Sequence, residues 1–283
     1  MMLKNKKAII TGGGRGIGKA VAEAFAKEGA DILLISRTRQ ELEATSRELS
    51  RQDQSVIVES ADVSKVEDVE NIRRIVQESW GRVDILVNAA GIYGPIGCLE
   101  DLDLENWMQT FSVNIFGTVL MCRMALPFMK KQKWGRIINF SGGGEGPLPR
   151  FTAYSSSKGA VVRFTESLNE EVKGDNICVN AITPGPVNTA FLEEVLKAGS
   201  EHAGEDFYRQ ALEQKKEGGI PPEKAARLCL FLAGEEAHGI GGKVLSAVWD
   251  NWQDIPKHLK EIMGSDIYNF RRIKPSDRGY TGW

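Results

Sequence analysis

Tyr154 and Lys158 stand four residues apart in the run Tyr154-Ser155-Ser156-Ser157-Lys158. The surrounding apolar spacing predicts a helix, which puts both side chains on one face, directed into one cleft. An ammonium beside a phenol favours the phenolate and should lower the Tyr154 pKa from its usual value of about 10. The chemistry such a pair could do is proton supply. The phenol would give its proton to the oxygen of a carbonyl being reduced or, in reverse, take the proton of an alcohol.

A second chemistry is written near the N-terminus, in Thr11-Gly12-Gly13-Gly14-Arg15-Gly16-Ile17-Gly18. Glycine is required where a chain turns tightly or must approach an anion without a Cβ in the way. This glycine run follows an apolar strand pattern and opens a helical one, the context in which backbone N–H groups and a helix N-terminus hold a pyrophosphate. The spacing is TGxxxGxG, not the GxGxxG of the common dinucleotide fingerprint.

The elements that must position these residues alternate regularly. Strand patterns at 7–11, 31–36, 56–59, 83–88, 136–140, 177–182 and 243–248 are separated by helical patterns at 18–28, 40–51, 65–79, 104–131, 153–173 and 222–232. Strands joined by helical crossovers run parallel, with helices on both faces, so the fold class is α/β: a Rossmann-type doubly wound parallel sheet of about seven strands. Two segments stand outside the repeat. Residues 188–219 suggest helices inserted as a lid, and 250–283 form a C-terminal extension beyond the 1–249 body. The extension carries six basic and five acidic residues with Trp252, Tyr268, Phe270, Tyr280 and Trp283.

With these motifs in order, the chain resembles the classical short-chain dehydrogenase/reductase family over about residues 6–248. The resemblance is carried by the glycine run, Asp62-Val63, Asn88-Ala89-Ala90-Gly91, Asn114, Ser141, the Tyr154–Lys158 pair, and Pro184-Gly185 through Thr189. It implies a catalytic tetrad of Asn114, Ser141, Tyr154 and Lys158. In it Ser141 donates to the substrate oxygen, Lys158 also holds the nicotinamide ribose, and Asn114 fixes a water in a proton relay. It further implies that Gly12, Gly14, Arg15, Gly16, Ile17 and Gly18 surround the pyrophosphate, that Asp62 bonds the adenine amine, and that Val63 lines its pocket. Asn88, Ala89 and Gly91 would form the floor beside it, although Asn88 could equally tie neighbouring strands. Pro184, Gly185, Val187 and Thr189 would lie beside the nicotinamide, followed by the lid.

The second strand ends Ile35-Ser36-Arg37-Thr38, without the carboxylate that would accept from a ribose 2′-hydroxyl and repel a 2′-phosphate. Arg37 and Arg15, as forked permanent cations, could converge on that phosphate, so the expected cofactor is NADP(H). Ser141 stands thirteen residues before Tyr154, as the family pattern asks, but in the strand register it holds the first of two customary serine positions and Gly142 the second. Glu145 in the following glycine-rich loop could meet a polar substrate group.

The expected activity is hydride exchange between the nicotinamide and a carbonyl or secondary alcohol, with a 3-oxoacyl thioester or a ketone of secondary metabolism among the substrates in view. A sugar-nucleotide epimerase or dehydratase would use the same tyrosine and lysine but a larger C-terminal domain. An NADPH-binding sensor or scaffold without turnover is the alternative from another class.

Composition removes other classes. With 36 Lys+Arg against 38 Asp+Glu the net charge is −2, which gives no electrostatic case for nucleic acid. The run from Val119 to Met129 is interrupted by Arg123 and falls short of the ~20 apolar residues of a membrane span. The lead-in to Ala8, Ile9 and Ile10 is too short for a signal peptide, so the expected location is the cytoplasm. Cys98, Cys122, Cys178 and Cys229 lie far apart and pair with none of the three histidines at ligand spacing, so neither a metal nor a disulfide framework is expected. A homodimer or homotetramer is expected from the resemblance, with the aromatic, arginine-bearing tail packed either at an interface or on its own subunit.

Overall fold

The computed structural model describes residues 1–49, 55–142 and 146–280. Seven strands form one parallel sheet: β1 (Lys7–Thr11), β2 (Asp31–Ser36), β3 (Val56–Ser60), β4 (Ile85–Asn88), β5 (Gly135–Phe140), β6 (Ile177–Thr183) and β7 (Val244–Ser246), in the order β3-β2-β1-β4-β5-β6-β7. The chain first winds outward from β1 to β3 and then returns to place β4 on the other side of β1. That reversal leaves a crevice beyond the carboxyl ends of β1 and β4, where Thr11 and Asn88 are register partners.

Helices cover both faces because the strands are apolar on both sides. On one face lie α1 (Gly16–Lys27), α2 (Arg39–Leu49) and, later in the chain, Pro222–Ala233, around Val21, Phe25, Leu42 and Leu228. The other face carries α3 (Val66–Ser79) and two long helices that include Met121, Ala125, Leu168 and Val172. Every residue of β5 and β6 is buried.

The helix expected over 104–131 is divided. It consists of α4 (Leu104–Phe111), a π-helical turn at Ser112–Phe116, and α5 (Gly117–Gln132). Together these make a 29-residue helical stretch, continuous through Arg123, that is long and apolar enough to cross a bilayer by length and composition alone. Half of its most apolar window is buried inside the fold, as in a core helix of a soluble domain. After β5 come α6 (Thr152–Val172), the lid helices α7 (Ala190–Ala203) and α8 (Glu205–Glu217), and α9 (Pro222–Ala233). Pro222 starts α9 in the position where a missing N–H costs least.

The last strand is shorter than its pattern over 243–248 suggested. The Asp250 carboxylate accepts from Ser246 N at 2.6 Å, and Ser246 Oγ accepts from Val248 N and Trp249 N, both at 3.2 Å, which turns the chain off the sheet. The tail then packs on its own subunit. Trp252, Ile255 and Ile262 join the core beneath α9, with Trp252 5.1 Å from the Phe231 ring, and α10 spans Leu259–Met263. Tyr268 O accepts from Val244 N at 2.9 Å along the free edge of β7. Lys243 Nζ donates to Ser265 O, Ile267 O and Asn269 Oδ1, and Glu166 of α6 accepts from Phe270 N at 2.6 Å. Cys122, Cys178 and Cys229 are buried free thiols, and Cys98 is partly exposed.

Candidate active site

The glycines of the first turn are set by close approach. A Cβ on Gly18 would collide with the carbonyl oxygen of Gly12, and one on Gly12 (φ 67°) would lie 3.0 Å from Ala89 O and Ala90 N. The turn is thereby held against both its own helix and the end of β4. Gly16 (φ 55°) opens α1, and the Thr189 methyl group lies 3.5 Å from where its Cβ would stand. Thr189 caps α7 by accepting from Phe191 N, so the start of the lid is placed over the positive end of α1. Ile17 is partly buried against the core behind this turn.

At the end of β2, a Cβ on Gly14 would lie 3.2 Å from Ser36 Oγ. The two arginines expected to converge have separate partners here: Arg15 forms an exposed ion pair with Glu41 at 3.4 Å, and the charge of Arg37 acts on Asp62. Partial burial pushes the Asp62 carboxyl up, but hydrogen bonds from Ser64 and the charges of Arg37 and Lys65 outweigh it and hold the group below the ordinary carboxylate value. Val63 packs on Gly117 at the start of α5. Asn88 does tie strands: its Nδ2 donates to Asn139 Oδ1 at 2.9 Å, and Asn139 in turn donates to Thr165 Oγ1 of α6 at 2.9 Å. Asn88 Oδ1 is left buried without a partner.

Around the fifth strand, Ser141 is the first residue past β5, anchored by its N–H to Ile182 O at 2.9 Å. Its Oγ is buried and has no hydrogen-bond partner among the described residues. The adjoining Gly142 (φ 101°) sits between Pro184 and Tyr154, since a Cβ there would be 3.6 Å from both Pro184 Cδ and the Tyr154 hydroxyl. Tyr154 and Pro184 therefore flank Gly142, the residue after Ser141. Gly185 (φ 81°) lets the next turn pass against Val248, and Val187 bridges to Ile220 below the lid. Glu145 lies outside the described residues.

Lys158 Nζ is buried, donates to Phe140 O at 2.8 Å and lies 5.8 Å from the Tyr154 ring centroid. Burial lowers its pKa to about 8. Tyr154 departs from expectation: burial, with a smaller contribution from Tyr93, raises its phenol above the ordinary 10. The lysine does not offset this, because its amine is turned to the end of β5 and both groups have lost water. Asn114 stands in the π-helical turn, accepts from Ile92 N and donates to Ile92 O, both at 2.9 Å, and donates to Ser157 Oγ at 3.0 Å. A Cβ on Gly91 would stand 3.2 Å from Asn114 Oδ1 and 3.4 Å from Lys158 Nζ, so both polar groups border the same point.

These residues fit a dinucleotide: a backbone cradle at a helix N-terminus at one end, and a buried serine hydroxyl without a partner among the described residues, one residue before the glycine that adjoins the buried Tyr154, at the other. The family model described as short chain dehydrogenase matches residues 6–199. The chain belongs to the short-chain dehydrogenase family. As a short-chain dehydrogenase it is an oxidoreductase that acts on alcohol or carbonyl groups of small molecules with a nicotinamide cofactor. D-beta-hydroxybutyrate dehydrogenase of Cupriavidus necator is 32% identical over 257 residues, covering 88% of this chain and 97% of that protein. L-sorbose reductase from Gluconobacter frateurii, solved with NADPH and L-sorbose, superposes with a TM-score of 0.78 at 31% identity, covering 87% of this chain and 97% of that one. NAD+-bound xylitol dehydrogenase superposes with a TM-score of 0.80 at 25% identity, covering 87% and 98%.

Two features of this short-chain dehydrogenase went unread in the sequence. Ser157 Oγ accepts from Asn114 and donates to Tyr154 O at 2.7 Å, joining two members of the expected tetrad. Its place one residue before Lys158 and three after Tyr154 was the available signal. Tyr93 stands edge-on against Tyr154 with ring centroids 4.5 Å apart.

Proposed function

We propose that this short-chain dehydrogenase is an NADP(H)-dependent reductase of a ketone, with Tyr154 as proton donor. The observation that carries the reading is the buried Ser141 hydroxyl, which has no hydrogen-bond partner among the described residues and stands next in the chain to Gly142, where a Cβ would lie 3.6 Å from the Tyr154 hydroxyl. In this reading the two hydroxyls meet on one substrate oxygen, and a carbonyl there would satisfy a donor that is otherwise costly to bury. When bound, the reduced nicotinamide supplies the hydride. The rest falls to the protein: Ser141 orients the carbonyl and stabilises the charge that develops on its oxygen, and Tyr154 gives that oxygen its proton.

Tyr154 keeps its proton across the neutral range because burial raises its pKa. Lys158, at about 8, is cationic at neutral pH and donates to Phe140 O at the end of β5. Asn114 holds the loop after β4 and, through Ser157, the backbone of Tyr154. The NADP(H) preference rests on the carboxylate-free end of β2 and on Arg37 beyond Ser36, with the nearby Glu41 charge engaged by Arg15. NADPH in the L-sorbose reductase structure agrees with this choice, and NAD+ in xylitol dehydrogenase is the contrary precedent.

The test is NADPH oxidation with a panel of ketones, comparing wild type with Tyr154→Phe. Turnover should fall by about 10³-fold or more in the variant, as expected when a general acid is lost, while NADPH affinity measured by nucleotide fluorescence stays within about twofold. Undiminished turnover in the variant would refute the proton-donor assignment. Tight NADPH binding with no turnover of any ketone would favour a binding protein.

A further inference from the structure

The reductase reading leaves open what the substrate carries beside its carbonyl, and the residues around Tyr154 bear on this. The ring of Tyr93 meets Tyr154 edge-on (82°), and Phe191 of α7 lies 4.5 Å from Tyr93 at 31° and 5.9 Å from Tyr154 at 90°. Phe151 stands 5.5 Å from Tyr93, and Phe207 of α8 lies 4.7 Å from Phe151. The tip of the Phe191 ring is 3.9 Å from the place a Cβ on Gly91 would take, which brings it to the point bordered by Asn114 and Lys158. A flat apolar ring supplied by the lid thus lies against the Tyr93 ring and edge-on to Tyr154.

Among the described residues, the charged side chains here are already engaged. Lys158 is engaged by Phe140 O, Arg150 donates to Glu201 O and His202 O, and Arg15 is paired with Glu41. Glu194, one turn after Phe191 and exposed at the edge of this cluster, bears on Tyr93 electrostatically and would disfavour an anion there. A substrate with a carboxylate, or with many hydroxyls, would bury polar groups against ring carbons, at a cost for each group left unpaired.

We propose that the face of Tyr93 now covered by Phe191 is a stacking platform for a flat, uncharged ring borne by the substrate, so that this site selects cyclic ketones over open-chain and anionic ones. Phe191 is the internal stand-in for that ring, and the start of the lid at Thr189 is where the chain must yield to admit it. This rests on the reductase reading for turnover but not for binding. Burial and the charge of Glu194 hold the Tyr93 hydroxyl up at about 12, so it stays neutral at the rim of the platform.

The experiment compares β-tetralone, methyl hexyl ketone and acetoacetate. Steady-state NADPH oxidation should rank β-tetralone first and acetoacetate last in kcat/KM. Tyr93→Leu should lower kcat/KM for β-tetralone by about five- to tenfold, the scale of one lost ring contact, and leave methyl hexyl ketone within about twofold. Tyr93→Phe keeps the platform and should keep the ranking. Equal losses for both ketones in Tyr93→Leu, or acetoacetate as the preferred substrate, would overturn the proposal. Calorimetric titration of β-tetralone into the NADP+ complex supplies a readout independent of turnover. Binding weakened five- to tenfold by Tyr93→Leu supports the platform even if no ketone is reduced, in which case the reductase reading fails alone. Absence of β-tetralone binding overturns the platform whatever the turnover.

Discussion

Replacing Lys158 with methionine should abolish reduction and, at neutral pH, make the protein more stable. The side chain is buried and its pKa is lowered from 10.5 to about 8 by loss of water, with no carboxylate to compensate. At about 1.4 kcal/mol for each tenfold change in proton affinity, the charged form carries a penalty on the order of 3 kcal/mol. Between about pH 8 and 10.5 the unfolded chain holds a proton on this lysine that the folded chain has released. In that window stability therefore rises with pH, and below about pH 8 the full penalty is present. Methionine matches the stem and removes the charge, but it leaves Phe140 O without its 2.8 Å donor, a loss of about 1 kcal/mol. The net expectation is a gain of about 2 kcal/mol near pH 7 that shrinks as pH rises toward 10. Urea unfolding of wild type and variant at several pH values measures both the gain and its slope. A variant no more stable than wild type near neutrality, or a gap that does not close with pH, would refute the claim that burial alone sets this lysine.

Arg37→Asp should turn preference from NADPH toward NADH, and an unchanged ratio of the two kcat/KM values would mean that Arg37 does not face the 2′-phosphate. Ser157→Ala removes the hydroxyl between Asn114 and Tyr154; kcat should fall about tenfold with KM for the nucleotide little changed, at a stability loss of about 1–2 kcal/mol. A parallel loss in kcat and nucleotide affinity would count against a positioning role. A chain ending at Asp250 loses Trp252, Ile255 and Ile262 from the core and the acceptors of Lys243. Thermal unfolding should shift down steeply, on the scale of about 5 kcal/mol or more, and an unshifted melting curve would show that the tail does not support the body.

Much of this was legible because the determinants are local and periodic. The β1 and β2 boundaries coincide with their sequence patterns, and the glycine turn sits where its spacing required, since any Cβ at Gly12 or Gly18 meets backbone. Tyr154 and Lys158 share the buried side of α6 because four residues complete about one helical turn. What the pattern could not give depends on tertiary partners. The π-helical turn at Ser112–Phe116 adds no distinctive residue to a continuous apolar helix, yet it carries Asn114, which bonds both main-chain groups of Ile92. The shortening of β7 follows from the Asp250 carboxylate four residues on, a side chain that strand periodicity does not count.

The direction of the Tyr154 shift exposes the same limit. Spacing brings an ammonium near a phenol, but whether the pair lowers or raises a pKa depends on how much water each group loses and where the amine points. Here the amine is spent on the end of β5, and burial prevails on both groups in opposite senses. Three departures from a comfortable interior meet at the carboxyl ends of β4 and β5: an unpaired Ser141 hydroxyl, an unpaired Asn88 carbonyl oxygen and a lysine stripped of water. A sheet could bury apolar side chains at these positions at lower cost. Buried polar atoms without a hydrogen-bond partner also occur elsewhere, at Arg136 Nε and Glu166 Oε2, so it is the coincidence of the Ser141 hydroxyl, the Asn88 oxygen and Lys158 with the glycine turn at the carboxyl end of the sheet that is the physical reason for placing the chemistry there.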